Sequence, residues 1–359
     1  VTSRDAVLSH LQPDDRAFLA QLADLARPAR VALVGGAVRD ALLGRTPLDF
    51  DVVVQGANVE RLAEATTLKF VYHPRYDNAT LTLPDGRHLD LIHARREAYE
   101  HPGAAPDPSP GTLHEDLARR DFTINAMAFE LGRDSLLDPF GGADDLHRKL
   151  LRPLHDASFR DDASRLVRGA RLAARLNLDL APEGYAQVPD AVRFASETPR
   201  VKLELPLVFE EDRPGLVLSA LRRWEATSLL GQDATDAFLE LDASSVATPI
   251  EYAAAWLAHQ PIGAASAWGV GERASKLLQR ARSDRPYPDD APETRLRRAL
   301  HLPIPRGGLT GADVLALGVP PGPLVGAVLA HVAQLRTAGL VASRDDELRA
   351  ANAFLLRHT

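Results

Sequence analysis

The chain has 359 residues, a net charge of −7, and 45% apolar and 25% charged residues, which is the make-up of a globular protein long enough for two or more domains with their own cores. Cysteine is absent, excluding disulfides, thiol catalysis and cysteine metal sites, and the 12 histidines form no HExxH pattern. No run of 18 apolar residues and no signal-peptide pattern occurs, so nothing is expected to span or cross a membrane and a cytoplasmic protein is expected.

From Asp14 to Ala26, apolar residues at helical spacing (Phe18, Leu19, Leu22, Leu25) predict a helix that ends at Arg27-Pro28 and feeds a first strand. That strand, Val31 to Val34, ends in Gly35-Gly36, and Ala37 to Leu43 reads as a short helix. Backbone amides at a helix start attract anions, and glycine allows close approach, so Gly35 and Gly36 are candidate phosphate contacts. Arg39 and Arg45 flank this turn, where each either pairs with Asp40 or meets a phosphate. LDFDVVV follows. Side chains two apart on a strand share a face, so Asp49 and Asp51 project together while Leu48, Phe50 and Val52 turn inward. Alone, such a strand is a solvated edge. Beside the glycine turn it reads as a carboxylate pair holding the metals of a nucleoside triphosphate, and hence as phosphoryl transfer.

Further β-rich runs lie at Phe50 to Val54, Ala79 to Leu83 and His88 to Ile92, with Asp85-Gly86 as a hairpin signal. Asp90 is either a third carboxylate of the site or an ordinary solvent-facing residue. Arg95 to Gly111, with four prolines and two glycines, predicts a long loop, passive or functional. In Arg119-Arg120-Asp121-Phe122-Thr123-Ile124-Asn125 the paired guanidinium groups suit phosphate oxygens; local ion pairs fixing a helix start would account for the same spacing. After about Asp144 the pattern is helical, punctuated by proline clusters at Pro286 to Pro292 and His301 to Thr310 that read as linkers. In Phe159 to Arg175, Asp162, Arg165 and Arg168 follow three-residue steps along one helical face, the bland reading of which is a solvated face with ion pairs. From Gly271 to Arg298 eight Lys/Arg face five Asp/Glu. Arg273, Lys276 and Arg280 are therefore first candidates for nucleic-acid phosphate contacts, although the acidic total argues mildly against such a partner.

Four ordered stretches, GGAVRDALLGRTPLDFD, RRDFTINA (Arg119 to Ala126), DPFGGADDL (Asp138 to Leu146) and DDASR (Asp161 to Arg165), resemble the tRNA nucleotidyltransferase and poly(A) polymerase family of the polymerase-beta superfamily, in its bacterial and eukaryotic class. Gly311-Ala312-Asp313 and Pro321 to Gly326 resemble the family's C-terminal segment, whereas residues 180 to 300 carry no motif. The resemblance implies an α+β protein: a small mixed-sheet nucleotidyltransferase head (1–145), a helical nucleotide-selecting neck (146–225) and a helical, elongated, tRNA-binding body and tail (226–359). It implies template-independent addition of CMP and/or AMP from CTP and ATP to the tRNA 3′ end. Asp49 and Asp51 would hold Mg²⁺, with Mn²⁺ as the alternative, and Asp90 would join them in catalysis. Gly35, Gly36, Arg39, Arg120, Asp121, Asn125, Asp162, Arg165 and Arg168 would bind the nucleotide. Asp162 and Arg165 match the family motif whose carboxylate and arginine read the base edge; Asp161 stands where the family has Glu. The family's flexible loop associated with A addition falls at Arg95 to Gly111, so a full-length loop favours A addition. CC-only or A-only addition, poly(A) synthesis and a catalytically inactive RNA-binding module are the alternatives, in that order.

Overall fold

The computed structural model describes residues 3–359 except 48, 284, 305–307, 339, 342, 343 and 359, so the inward turn expected of Leu48 lies outside the described residues. The chain divides into two compact units, Val1–Thr235 and Asp236–Thr359, and the expected head and neck both fall in the first.

Strands β1 (Arg30–Val34), β2 (Phe50–Gln55), β3 (Lys69–His73), β4 (Asn78–Thr82), β5 (His88–His93), β8 (Ala128–Glu130) and β9 (Ser135–Leu137) form a seven-stranded sheet, while β6 (Arg95–Ala98) and β7 (Asp107–Pro110) pair separately. The sheet order is β3-β4-β5-β2-β1-β8-β9. Only β2 and β5 run parallel; the other neighbours are antiparallel. The central strands are the valine-rich ones, and Val31 to Val34 and Val52 to Val54 are buried, as expected where both faces of a sheet are covered. Gly86, at φ +88°, makes the β4–β5 turn that Asp85-Gly86 predicted. Register places Asp51 opposite Val34 on one side and Asp90 on the other.

Two elements differ from expectation. The segment from Arg95 to Gly111 is a ribbon rather than a loop: β6 pairs with β7 from Arg95 opposite Pro110 to Ala98 opposite Asp107. Each strand of a two-stranded ribbon has an open edge, where proline's missing N–H costs no pairing. Asp162 does not share a helix with Arg165 and Arg168. The helix is Ser164–Leu176, and Asp162 precedes it in an extended conformation (φ −151°, ψ 96°), with Oδ1 accepting the Ser164 N–H at 3.0 Å and its hydroxyl at 2.5 Å. A short carboxylate caps the adjacent turn better than it continues a helix.

The remainder of the first unit is helical: Pro182–Phe194, Arg200–Phe209 and Pro214–Arg223 follow Ser164–Leu176. The second unit holds Pro249–His259, Glu272–Ala281, Pro292–Ala299, Gly311–Ala316, Pro323–Thr337 and Arg344–His358 among its helices. Part of its local positive charge is internal, although six of the eight Lys/Arg between Gly271 and Arg298 are exposed. Arg297 is fully buried, donating to the carbonyls of Ala281, Ser283 and Arg285, and Arg295 grips the buried Glu251. The Gly311-Ala312-Asp313 stretch opens a helix through a capping box between Thr310 and Asp313. Among the described residues no helix is long and apolar enough to cross a membrane.

Candidate active site

In the first unit, a cleft of about 650 Å³ gathers Gly35, Gly36, Arg39, Asp49, Asp51, Arg120, Asp121, Asn125, Asp162, Arg165 and Arg168. Residues spread over more than 130 positions of sequence thus share one cavity. Asp90 is not in its lining: it stands beside Asp51 in the sheet and accepts a 2.6 Å hydrogen bond from the Thr80 hydroxyl.

Asp49, just before β2, and Asp51, within it, open into the cleft, and neither carboxylate has a described hydrogen bond or ion pair. The cleft walls strip enough water from Asp51 to push its carboxyl above the ordinary aspartate range. Arg120 pulls the other way, while Asp90 and Asp49 add repulsion. Gly35, at φ +68°, leaves room that only a residue without Cβ can leave, because a Cβ there would lie 2.7 Å from Arg120 Nη1. Its N–H donates to the Met127 carbonyl at 3.1 Å, so this amide, a candidate phosphate donor, is engaged in the sheet. Arg39 pairs with Asp40 at 2.8 Å and donates to Asn125 Oδ1 at 2.7 Å.

The Arg119-Arg120 pair ends the helix Leu113–Ala118 rather than starting one. Both guanidinium groups clasp the buried Asp116, at 2.8 and 3.0 Å. Burial alone would raise the Asp116 carboxyl, but Arg120 and Arg119 outweigh it and hold it low. Asp121 behaves alike: burial is outweighed by Arg168, 3.2 Å away, and by the Asn125 amide at 3.0 Å. Phe122 is a core residue, packed where Gly169 leaves space, since a Cβ at 169 would lie 2.7 Å from its ring. The DPFGGADDL stretch braces this region: Asp138 caps the Gly142 and Ala143 amides, and Asp145 accepts from Thr123 and Arg152.

On the neck wall Arg165 is 4% exposed. Its Nη1 donates to the Ser158 hydroxyl at 2.8 Å, and its Nη2 to the Arg119 carbonyl at 2.9 Å and the Tyr99 hydroxyl at 3.2 Å. Asp162 Oδ2 accepts from Arg200 Nε at 2.9 Å. Tyr99, Arg171, Arg175 and Arg200 also line the cleft and were missed by sequence reasoning. Arg171 and Arg175 continue the three- and four-residue steps of Arg165 and Arg168 along one helix, a signal that was available; Arg200 lies 38 positions from Asp162, and no local pattern announces it.

Residues 31–152 match the family model described as the poly A polymerase head domain. Over 366 aligned residues the chain is 52% identical to the CC-adding tRNA nucleotidyltransferase of Deinococcus radiodurans, covering 98% of this chain and 96% of that protein. The A-adding tRNA nucleotidyltransferase of Aquifex aeolicus is 41% identical over 204 residues, 54% of this chain and 25% of that protein. In fold, the chain is similar to the Thermotoga maritima CCA-adding enzyme complexed with tRNA_CCA, with a TM-score of 0.70 and 22% identity over 98% of each chain.

Proposed function

Because the chain belongs to the tRNA nucleotidyltransferase and poly(A) polymerase family, we propose that it transfers CMP from CTP to the 3′ end of tRNA with release of pyrophosphate, building the two cytidines rather than the terminal adenosine. The terminal 3′ hydroxyl attacks the α-phosphorus, the new O–P bond replaces the bond to pyrophosphate, and the hydroxyl proton is lost.

The observation that carries the chemistry is the unneutralised Asp49/Asp51 pair. Glu97, Asp121 and Asp162, the other carboxylates of the cleft, are each paired with arginine. No group of three or more His, Cys, Asp or Glu suited to a metal occurs among the described residues. A pair is enough for Mg²⁺, which takes one or two carboxylates and completes its shell with water and substrate phosphates. Asp49 and Asp51 therefore fit Mg²⁺, with Mn²⁺ as the alternative, and the bound ion would neutralise charge on the attacking and leaving oxygens. A module that only binds RNA has no use for such a pair. Arg39 and Arg120 face the triphosphate, and Asn125 and Asp121 hold those arginines and Arg168 in place.

Asp162 and Arg165 read the base. A carboxylate offers about four lone-pair sites; Ser164 takes two and Arg200 one, leaving one acceptor. Arg165 Nε has no described partner and supplies one donor. One acceptor beside one donor matches the exocyclic amine and ring nitrogen of cytosine and of adenine, and mismatches guanine and uracil. CC addition is favoured over A addition because the segment expected to be a free loop is a paired ribbon, and because the relative matched along its whole length is CC-adding. The same end-to-end match ranks poly(A) synthesis lower.

The test supplies purified protein with tRNA transcripts ending at the discriminator base, after one C, or after two, each with CTP, ATP or both. The expected result is C addition to the first two and none to the third. AMP addition to the CC-ended transcript would restore the A-adding reading, and acceptance of unrelated RNA would favour a poly(A) polymerase.

A further inference from the structure

Arg165 faces two spaces. Besides the cleft it lines a smaller cavity of about 310 Å³, and Glu97, Tyr99 and Arg119 are common to both. The smaller cavity also holds His155 and Asp161, neither of which lines the cleft. Asp161, the residue that stands where the family has Glu, therefore belongs with His155 rather than with the base-reading pair.

Arg165 has no described ion pair. Its guanidinium is held by the Ser158 hydroxyl, the Arg119 carbonyl and the Tyr99 hydroxyl, and its Nη1 also lies 3.5 Å from His155 Nε2. An arginine only donates, so His155 meets it as a neutral ring with the lone pair on Nε2 and the proton on Nδ1. The turn that carries this ring is fixed, since the His155 carbonyl accepts from the Ser158 N–H at 3.1 Å and from Gln187 Nε2 at 3.0 Å. His155 is exposed whereas Arg165 and Ser158 are buried. Of the four partners it is the one that becomes a cation near neutral pH.

Partial burial and the charges of Arg165 and Arg160 hold the imidazole below its ordinary pKa, against the pull of Asp161 and Asp156. Across the cavity Arg96 faces Glu115 at 3.8 Å and Arg119 pairs with Glu97 at 3.0 Å, so these walls add little net charge. Burial keeps the Tyr99 hydroxyl protonated.

We propose that His155 is a positioning residue for base selection: as a neutral ring it supports Arg165 through Nη1, leaving Nε for the base, and as a cation it releases the guanidinium, so that discrimination between C and U weakens in acid. This rests on the reading of Asp162 and Arg165 as the base-reading pair. The effect is separable from the titration of the catalytic carboxylates. CTP and UTP share the triphosphate, the metal site and the ring size, so protonation of Asp51 cancels in the ratio of their kcat/KM values.

The experiment measures kcat/KM for CTP and for UTP with a transcript ending at the discriminator base, from about pH 8 to about pH 5, in wild type, His155→Gln and His155→Ala. In wild type the CTP-over-UTP ratio should fall about tenfold as pH drops through the His155 pKa, the size of a unit-charge repulsion at this separation in a water-like medium. His155→Gln supplies an acceptor that does not titrate, and its ratio should be flat over the same range. His155→Ala supplies none, and its ratio should be flat and lower than that of His155→Gln. A merely structural role would shift the ratio equally at every pH. A wild-type ratio that does not vary with pH, or an equal acid fall in His155→Gln, overturns the proposal, as does a His155→Ala ratio equal to wild type at the alkaline end. Wild-type protein that uses CTP and UTP equally at the alkaline end would instead sink the base-reading role of Asp162 and Arg165, so the two failures are distinguishable.

Discussion

The two walls of the cleft handle charge in opposite ways. On the head wall the carboxylates of Asp49 and Asp51 have no described hydrogen-bond or ion-pair partner, and burial presses the Asp51 carboxyl toward the protonated form against the pull of Arg120. On the neck wall Asp162 has Arg200 and Ser164, Arg168 reaches Asp121 of the head, and Arg171 and Arg175 have Glu204 and Glu211. A wall with spare negative charge waits for cations; a wall whose charges are balanced can fix the positions of a few hydrogen-bonding atoms. Under the function proposed above, the difference would separate chemistry from selection within one cavity.

The largest effect that would break this contrast comes from the head wall. Asp49→Asn or Asp51→Asn should lower nucleotide transfer on the order of 10³-fold or more, because electrostatic stabilisation of transferring phosphate is lost. The fold should not suffer. A carboxyl whose pKa is raised by folding destabilises the native state at neutral pH, so without metal Asp51→Asn should melt at or above the wild-type temperature. A sharply lower Tm, or near wild-type turnover, would contradict the division.

Changes on the neck wall should do the reverse. Asp162→Ala and Arg165→Ala should raise misincorporation of G or U on the order of tenfold to hundredfold. Both should lower Tm, since Asp162→Ala leaves Arg200 unpaired and Arg165→Ala frees the Ser158 hydroxyl and the Arg119 carbonyl. Loss of tRNA affinity with selectivity intact would return this stretch to the status of an ordinary ion-paired face.

Acid separates the walls more finely. Asp116 and Asp121 are held low, so the stability they contribute is present above the ordinary aspartate pKa and is lost as pH falls through their depressed values. Asp51 is held high, and its protonated form is harmless to the fold. With falling pH, metal-dependent kcat/KM should therefore decline before Tm does. Coincident declines in a matched pair of pH profiles would show that activity is limited by unfolding instead.

The head was the more legible part of the chain because its signals are local. Glycine at positive φ, alternating aspartates and an Asp-Gly hairpin each specify backbone geometry within a few residues, and β1, β2, β4 and β5 followed from them. The neck depends on long-range partners. Arg200 has meaning only beside Asp162, and the Arg95–Gly111 segment is ordered by contacts with 161, 197 and 200 that no turn propensity encodes. Proline content argued for a loop there, and pairing on open edges overrode it. In the second unit the eight basic residues between Gly271 and Arg298 read as a patch because sequence does not distinguish a buried arginine from an exposed one; Arg297 is buried among carbonyls.

The exposed charge of this unit gives the smallest of the expected effects. Arg273, Lys276 and Arg280 lie on the exposed side of the helix Glu272–Ala281, opposite the buried Ala274, Leu277, Leu278 and Ala281. Lys276 is paired with Glu272 at 3.0 Å and Arg280 with Glu293 at 2.6 Å, whereas Arg273 has no described ion pair. If this face meets tRNA phosphates, a pre-paired cation must give up its carboxylate to bind, so its net gain is smaller. Arg273→Glu should then weaken tRNA binding more than Lys276→Glu, and should flatten the dependence of log Kd on log salt by about one contact's worth. Nucleotide selectivity should be unaffected, because the change lies outside the unit that contains the cleft. Reversal of all three charges with no loss of tRNA affinity and no change in salt slope would remove this helix from the tRNA-binding surface, and the phosphate contacts would have to be sought elsewhere on the molecule.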